Sequence, residues 1–276
     1  MMTSISTQEV QPIEGYSNLR AFIRLVSFLC LAMSYFLVTL PFFPIFLIAP
    51  YSVRKIYNYI LSFYAKCMLK LMGIEVETKD LERTEKRGKL LVGNHMSYID
   101  VLFTAAINPG CFVTSVEMKK TPFLGQICQL GGCVFVERRN KKNLKNEIRE
   151  ITESLKNGLD VYVFPEATST NGDEVIRFRR PLFNAAIEAG VEILPLTINY
   201  NKLNDIEVNE GNRDYICWYG DMTFFDHLWN LFAIRRIDVS VDFHPRIEQT
   251  PSIEALELAE KSHDLVKSSF RPFKNR

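Results

Sequence analysis

The chain has 276 residues, enough for one large α/β domain plus a smaller appendage; at 47% hydrophobic and 24% charged it is neither disordered nor a wholly membrane-embedded channel. A formal net charge of +1 argues against nucleic acid as a partner, since such binders carry a strongly basic surface. Six cysteines, Cys30, Cys67, Cys111, Cys128, Cys133 and Cys217, are scattered through apolar segments without a CxxC pair. They read as reduced thiols facing a cytoplasm, and their spacing offers no metal site.

Residues 1–18 form a polar tail. Leu25 through Val53 contains no charged residue, which exceeds the roughly 20 apolar residues that a membrane span needs. Arg20 and Arg24 precede the run, and Arg54 and Lys55 follow it, so the positive-inside rule selects no orientation. Pro41, Pro44 and Pro50 break its second half, which predicts an entering helix and a bent return with both basic flanks in the cytoplasm. A cleavable signal peptide fits poorly, because the run is too long and no small-residue cleavage site stands out; a buried core helix is the other alternative. Residues 51–72 are predicted helical, with Ile56, Ile60, Tyr64, Cys67 and Leu71 on one face. Lys55, Ser62, Lys66 and Lys70 fall on another, where lysine stems can reach lipid phosphates, and Gly73 suits the C-cap; a helix packed on the domain core fits the same pattern. Residues 19–72 are thus expected to be a membrane-associated helical segment, and residues 73–276 a separate α/β domain.

From Gly73 on, helix and strand patterns alternate. Strands are predicted at Ile74–Thr78, Lys89–Gly93, Phe112–Ser115, Val134–Val136, Val161–Phe164, Ile193–Asn199 and Ile237–Phe243. Helices are predicted at Tyr98–Ile107, across Leu144, Ile148, Ile151 and Leu155 up to Gly158, at Pro181–Ala189, and over residues 251–270. Such alternation predicts an α/β fold: a mixed, mostly parallel sheet flanked by helices.

The most informative stretch is Gly93-Asn94-His95-Met96-Ser97-Tyr98-Ile99-Asp100, where a strand ends and a helix begins. Ligand sites in open α/β sheets favour the ends of strands. Asp100 lies about one helical turn beyond His95, so its carboxylate can reach back to one imidazole nitrogen. That fixes the tautomer and leaves the other nitrogen free to take a proton. Transfer of an acyl group to an alcohol needs such a base, because a hydroxyl near neutral pH is a poor nucleophile. A helix cap beside a satisfied histidine explains the same pair without catalysis. A hydrolase would want a nucleophilic serine in a Gly-x-Ser-x-Gly turn, and the chain has none.

Four ordered blocks decide between these readings. His95 and Asp100 have four residues between them. Phe135-Val136-Glu137-Arg138 is an aromatic, an aliphatic, any residue and Arg. Phe164-Pro165-Glu166-Ala167-Thr168 follows, and Ile193-Leu194-Pro195-Leu196 is an apolar strand with an internal proline. Between the first two, Ser115–Gly125 is a basic segment followed by a Pro and a Gly. In this order and spacing, over about residues 70 to 200, the chain resembles the glycerolipid acyltransferases: the 1-acylglycerol-3-phosphate acyltransferases and related lysophospholipid enzymes.

The resemblance implies that residues 73–276 are an acyltransferase domain. Its substrates would be an acyl-CoA or acyl carrier protein donor and a lysophospholipid acceptor, and its phospholipid-synthetic work would be done at the cytoplasmic face of a membrane. It implies His95 as base, Asp100 as its partner, and Arg138, Glu166 and Thr168 as acceptor-binding residues, with no metal and no bound cofactor. Arg138 suits a phosphate because a guanidinium binds one bidentately; the bland alternative is a solvated basic face shared with Arg139, Lys141, Lys142 and Lys145. Glu166 would accept hydrogen bonds from acceptor hydroxyls, or be an ordinary helix-start carboxylate. Ala167 stands where the family usually has Gly, so the turn either avoids positive φ or tolerates strain. Ser169 stands where an Arg often follows, closer to the lysophosphatidylcholine and lyso-ornithine-lipid variants. Arg177, Arg179 and Arg180 could supply the missing charge. The non-enzymatic alternative is a degenerate membrane-tethered scaffold.

Overall fold

The computed structural model describes residues 13–121, 124–136, 144–250 and 252–274. In chain order it has α1 (Asn18–Thr39), a turn of helix α2 (Phe43–Phe46), α3 (Pro50–Met72), β1 (Ile74–Lys79), β2 (Leu90–Gly93), α4 (Ile99–Ile107), β3 (Cys111–Ser115), α5 (Val116–Lys120) and α6 (Leu124–Leu130). There follow β4 (Val134–Val136), α7 (Leu144–Lys156), β5 (Val161–Val163), α8 (Asn184–Ala189), β6 (Ile193–Leu203), β7 (Ile206–Glu207), α9 (Phe224–Ala233), β8 (Ile237–Phe243) and α10 (Ala255–Ser269).

The strands form one sheet in the order β1-β8-β6-β2-β5-β3-β4, with β7 added to β6. Pairing is parallel except for β6 with β8 and β6 with β7, which are antiparallel, so the sheet is mixed and mostly parallel as expected. Its central strands are buried on both faces, which is why they read as near-continuous apolar runs. In β2 the pleat sends Leu91 to one side and Leu90 and Val92 to the other. Leu91 joins Met68, Met72, Ile99, Phe103, Leu231 and Phe232 from α3, α4 and α9. Leu90 and Val92 join Ile148, Ile151, Ala185, Leu258 and Val266 from α7, α8 and α10.

The N-terminal helices share the first of these cores. Ala21 of α1 and Met68 and Met72 of α3 pack in one cluster with the sheet, so no break in packing separates residues 19–72 from the rest. Gly73 closes α3 at φ 68°, its N–H reaching Leu69 O and Lys70 O. A Cβ there would lie 2.4 Å from Arg235 O, so the turn into β1 requires glycine. The proline-rich stretch interrupts the α-helix: α1 ends at Thr39, and Pro50 starts α3 at its first turn, where a missing N–H costs nothing.

Asn18–Phe46 is, among the described residues, the one helical stretch long and apolar enough to cross a membrane, and only 22% of its apolar window is buried. One face of α1 packs inward through Ala21, Leu25, Phe28 and Leu31, while Phe22, Val26, Met33 and Leu37 are exposed. Three of the flanking arginines are tied into the domain. Arg20 donates to Gly15 O and Ala233 O, and the buried Arg24 donates to the carbonyls of Phe232, Ile234 and Arg235 around the C-terminal end of α9. Arg54 is buried and pairs with Glu150 and Ser154 of α7. The helix over 51–72 is present, but its inner face runs through Val53, Tyr57, Ala65 and Met68 and takes in Ser62. Ile56 lies outside with Tyr59 and Phe63, beside the exposed Lys55, Lys66 and Lys70. The displacement has a physical cause: polar Arg54, Asn58 and Ser62 face the sheet because the domain supplies them with buried surroundings.

Candidate active site

The site is built where β2 and β5 end side by side. They run parallel with Val92 opposite Val163, so the residues after each strand emerge together. A Cβ on Gly93 would lie 2.7 Å from a Leu196 methyl carbon and 3.0 Å from Leu196 O, so only glycine lets β2 approach β6 this closely at its last residue. Asn94 then takes over the pairing with its side chain. Its amide nitrogen donates to Ile198 O at 3.0 Å, and its oxygen accepts from Ile198 N at 2.8 Å. The chain turns at this anchor, and His95 is the first residue free of the sheet.

His95 is held from three sides. Its ring lies flat on Phe164, the residue that follows β5, with centroids 4.3 Å apart and planes 11° from parallel. Its backbone N–H donates to Glu166 Oε2 at 2.6 Å, and its carbonyl accepts from Thr170 N at 2.9 Å. Its Nδ1 lies 2.8 Å from Asp100 Oδ2, and its side chain keeps 19% of its surface exposed. An Nδ1–H donated to Asp100 puts the free lone pair on Nε2, for which no partner occurs among the described residues.

Asp100, in the first turn of α4, is fully buried. Its Oδ2 also accepts from Met96 N at 2.8 Å and Ser97 N at 3.0 Å, and its Oδ1 accepts from the hydroxyl of Tyr200. Asp100 is not the helix cap, since the N-cap of α4 is Tyr98 and has no side-chain cap bond; its carboxylate instead braces the turn before the helix and lies within reach of the imidazole.

Glu166 has no helix after it; the chain stays irregular until Arg180. It is buried, and its second oxygen accepts from Ile176 N at 2.9 Å. Burial pushes its carboxyl up to about 8, against the pull of the two backbone N–H groups. The two bonds tie the His95 loop to the loop that carries Ile176, and each carboxyl oxygen accepts one of them. Ala167 sits at φ 59°, so the turn keeps the left-handed conformation and tolerates the strain of a Cβ. Thr168 is exposed, its hydroxyl 3.3 Å from Ser169 O. Ser169 donates to Trp218 O, and Trp218 N in turn donates to Met96 O at 2.9 Å, so the segment before α9 closes over the His95 loop. Arg138 lies outside the described residues. Among those described, no three His, Cys, Asp or Glu side chains group as metal ligands would.

Three participants carry no sequence signal of a role: Asn94, Tyr200 and Trp218. Asn94 stands beside His95, yet only the fold reveals the strand its amide extends. Tyr200 falls one residue past the predicted end of its strand, and Trp218 comes from a region with no predicted element.

A family model described as "Acyltransferase" matches residues 73–199. A 1-acyl-sn-glycerol-3-phosphate acyltransferase of Neisseria gonorrhoeae is 28% identical over 197 residues, 71% of this chain and 74% of its own length. A lyso-ornithine lipid O-acyltransferase of Rhizobium meliloti is 29% identical over 185 residues, 64% of this chain and 63% of its own. Among solved structures, the 1-acyl-sn-glycerophosphate acyltransferase PlsC of Thermotoga maritima shares the fold, with a TM-score of 0.60 at 20% identity, over 92% of this chain and 98% of that one.

Proposed function

Since this chain carries an acyltransferase-family domain, we propose that it transfers a fatty acyl group from acyl-CoA or acyl carrier protein to the free hydroxyl of 1-acylglycerol-3-phosphate. One observation carries the mechanism: a strand-end imidazole oriented through Nδ1 by a buried carboxylate at 2.8 Å. His95 Nε2 takes the proton of the acceptor hydroxyl as its oxygen attacks the thioester carbonyl. The C–S bond then breaks, and the imidazolium returns the proton to the leaving thiolate. No covalent enzyme intermediate is needed. Arg138 grips the acceptor phosphate, Thr168 contacts its head group, and Glu166, which also holds the His95 loop in place, accepts from an acceptor hydroxyl. The exposed apolar face of α1 seats the enzyme in the membrane, with the site on the cytoplasmic side.

A second acceptor class is favoured by particular residues. Ala167 and Ser169 depart from the phosphomonoester pattern, and one of the relatives is named for lyso-ornithine lipid. The test is thioester-dependent acylation by the purified chain in detergent, with one donor and lysophosphatidate, lysophosphatidylcholine and lyso-ornithine lipid as acceptors. His95→Ala should lose about a hundredfold to ten-thousandfold in turnover while staying folded. A folded variant that keeps more than half its turnover removes His95 as the base.

A further inference from the structure

The buried partner of the dyad has a partner of its own that no sequence block marks. Tyr200 lies on β6 with Leu196 and Ile198 on the same face, and all three are buried. Its hydroxyl donates to Asp100 Oδ1, the oxygen turned away from His95. Immediately beyond Tyr200 the pairing of β6 with β8 slips: Tyr200 faces Val239, while Lys202 faces Asp238. Bulges of this kind recur beside active sites, where they re-aim a side chain. Two further contacts fix the phenol. Its ring meets Phe103 of α4 edge-on with centroids 6.0 Å apart, and the Asn94 amide ties Ile198, two residues earlier, to the start of the His95 loop. Burial and the neighbouring Asp100 push the phenol well above its usual range, so it serves only as a donor.

We propose that Tyr200 is a positioning residue of the catalytic dyad, setting through its hydrogen bond to Asp100 Oδ1 both the orientation and the basicity of the carboxylate that orients His95. This rests on the acyl-transfer reading above. A donor to a carboxylate makes it a weaker base, and a weaker base stabilises the adjoining imidazolium less. The phenol therefore keeps His95 from binding its proton too tightly to release it to the leaving thiolate. Asp100 accepts four donors in all, and Tyr200 is the one that comes from a strand and leaves the bonds from Met96 N and Ser97 N in place when removed.

Tyr200→Phe keeps the ring and its packing and deletes one hydroxyl. Turnover is expected to fall about tenfold to a hundredfold, the range for losing a hydrogen bond to a charged group. The Michaelis constants for donor and acceptor should stay within about twofold, as for an interaction that matters in the transition state. The acid limb of the pH–rate profile, which follows His95, should move to higher pH because the unrelieved carboxylate holds the imidazolium more tightly. In an Asp100→Asn background the same change should cost almost nothing further, since the two act as one unit. A purely structural role predicts a lower melting temperature with an unmoved limb and additive losses. Unchanged turnover and limb in a folded Tyr200→Phe overturns the proposal, provided His95→Ala is inactive; if His95→Ala stays active, it is the acyl-transfer reading that fails. Should Tyr200→Phe not fold, the Asp100→Asn/Tyr200→Phe double variant decides. Recovered folding shows that the hydroxyl answers the Asp100 charge, and continued failure makes the role structural and refutes the proposal.

Discussion

Glu166→Gln separates a buried clamp from a substrate ligand. In the wild type, one carboxyl oxygen accepts from His95 N at 2.6 Å and the other from Ile176 N at 2.9 Å. An amide offers one acceptor oxygen, so one of these N–H groups must face an NH2. Leaving such a buried donor unsatisfied costs about 1–3 kcal/mol. The variant also changes the response to pH. Burial raises Glu166 from 4.5 to about 8, so between those values the folded chain holds a proton that the unfolded chain has released. The resulting stability is complete below the unfolded value and is lost as pH rises through about 8. Each tenfold change in proton affinity is worth about 1.4 kcal/mol, so the whole amounts to a few kcal/mol. His227 acts with the opposite sign. Burial lowers it from 6.5 to about 4, so its contribution is complete above 6.5 and is lost as pH falls toward 4. The two slopes oppose each other below 6.5, and Glu166 is read cleanly between 6.5 and 8. Denaturant unfolding in detergent across that window should show the wild type losing stability with rising pH. Glu166→Gln should begin lower and stay level. Parallel curves for the two proteins would refute the reasoning.

His227→Asn should flatten the acid side of the same stability curve, because the buried imidazole whose Nδ1 accepts from Tyr98 is then gone; an unchanged loss of stability toward pH 4 counts against it. Arg24→Met removes the donor to three carbonyls around the end of α9 and should cost about 1–3 kcal/mol in thermal unfolding, with α1 the first element to become protease-sensitive. Ala167→Gly relieves a left-handed Cβ at φ 59° but loosens the unfolded chain, so a net gain of up to about 1 kcal/mol is expected, and a loss would mean the methyl group packs usefully.

Period and punctuation carried most of the fold into the sequence. The strands Val134–Val136 and Ile237–Phe243 have the predicted bounds, because both are short apolar runs with turn residues at their ends. What the sequence could not show is partnership. The antiparallel run of β8 against β6, and the helix α9 that lies between them in the chain, were not read from the local pattern. In the site, His95 and Asp100 were legible because their spacing is a local property of one turn. Glu166 was legible as a residue but not as a clamp, since its two donors, His95 and Ile176, are separated from it by 71 and 10 positions. Tyr200 was invisible for the same reason at a separation of 100.

Acceptor choice turns on Ser169, where charge and geometry pull apart. A phosphomonoester carries close to two negative charges near neutral pH, so an arginine added beside the site favours lysophosphatidate over a diester lysolipid. The position is not vacant, however. The Ser169 hydroxyl donates to Trp218 O, and the same tryptophan's N–H holds Met96 O at 2.9 Å while its indole donates to Met222 O at 3.0 Å. A longer side chain must leave this pocket, and the Trp218 carbonyl loses its donor at a cost of about 1 kcal/mol. Ser169→Arg should therefore raise the ratio of lysophosphatidate to lysophosphatidylcholine turnover, measured by competition at fixed donor, while lowering both rates and the melting temperature. A ratio that stays fixed means the phosphate charge is already met by another arginine. The exposed Arg177, Arg179 and Arg180 are the described candidates, and lysophosphatidate would then stand as the acceptor without help from position 169.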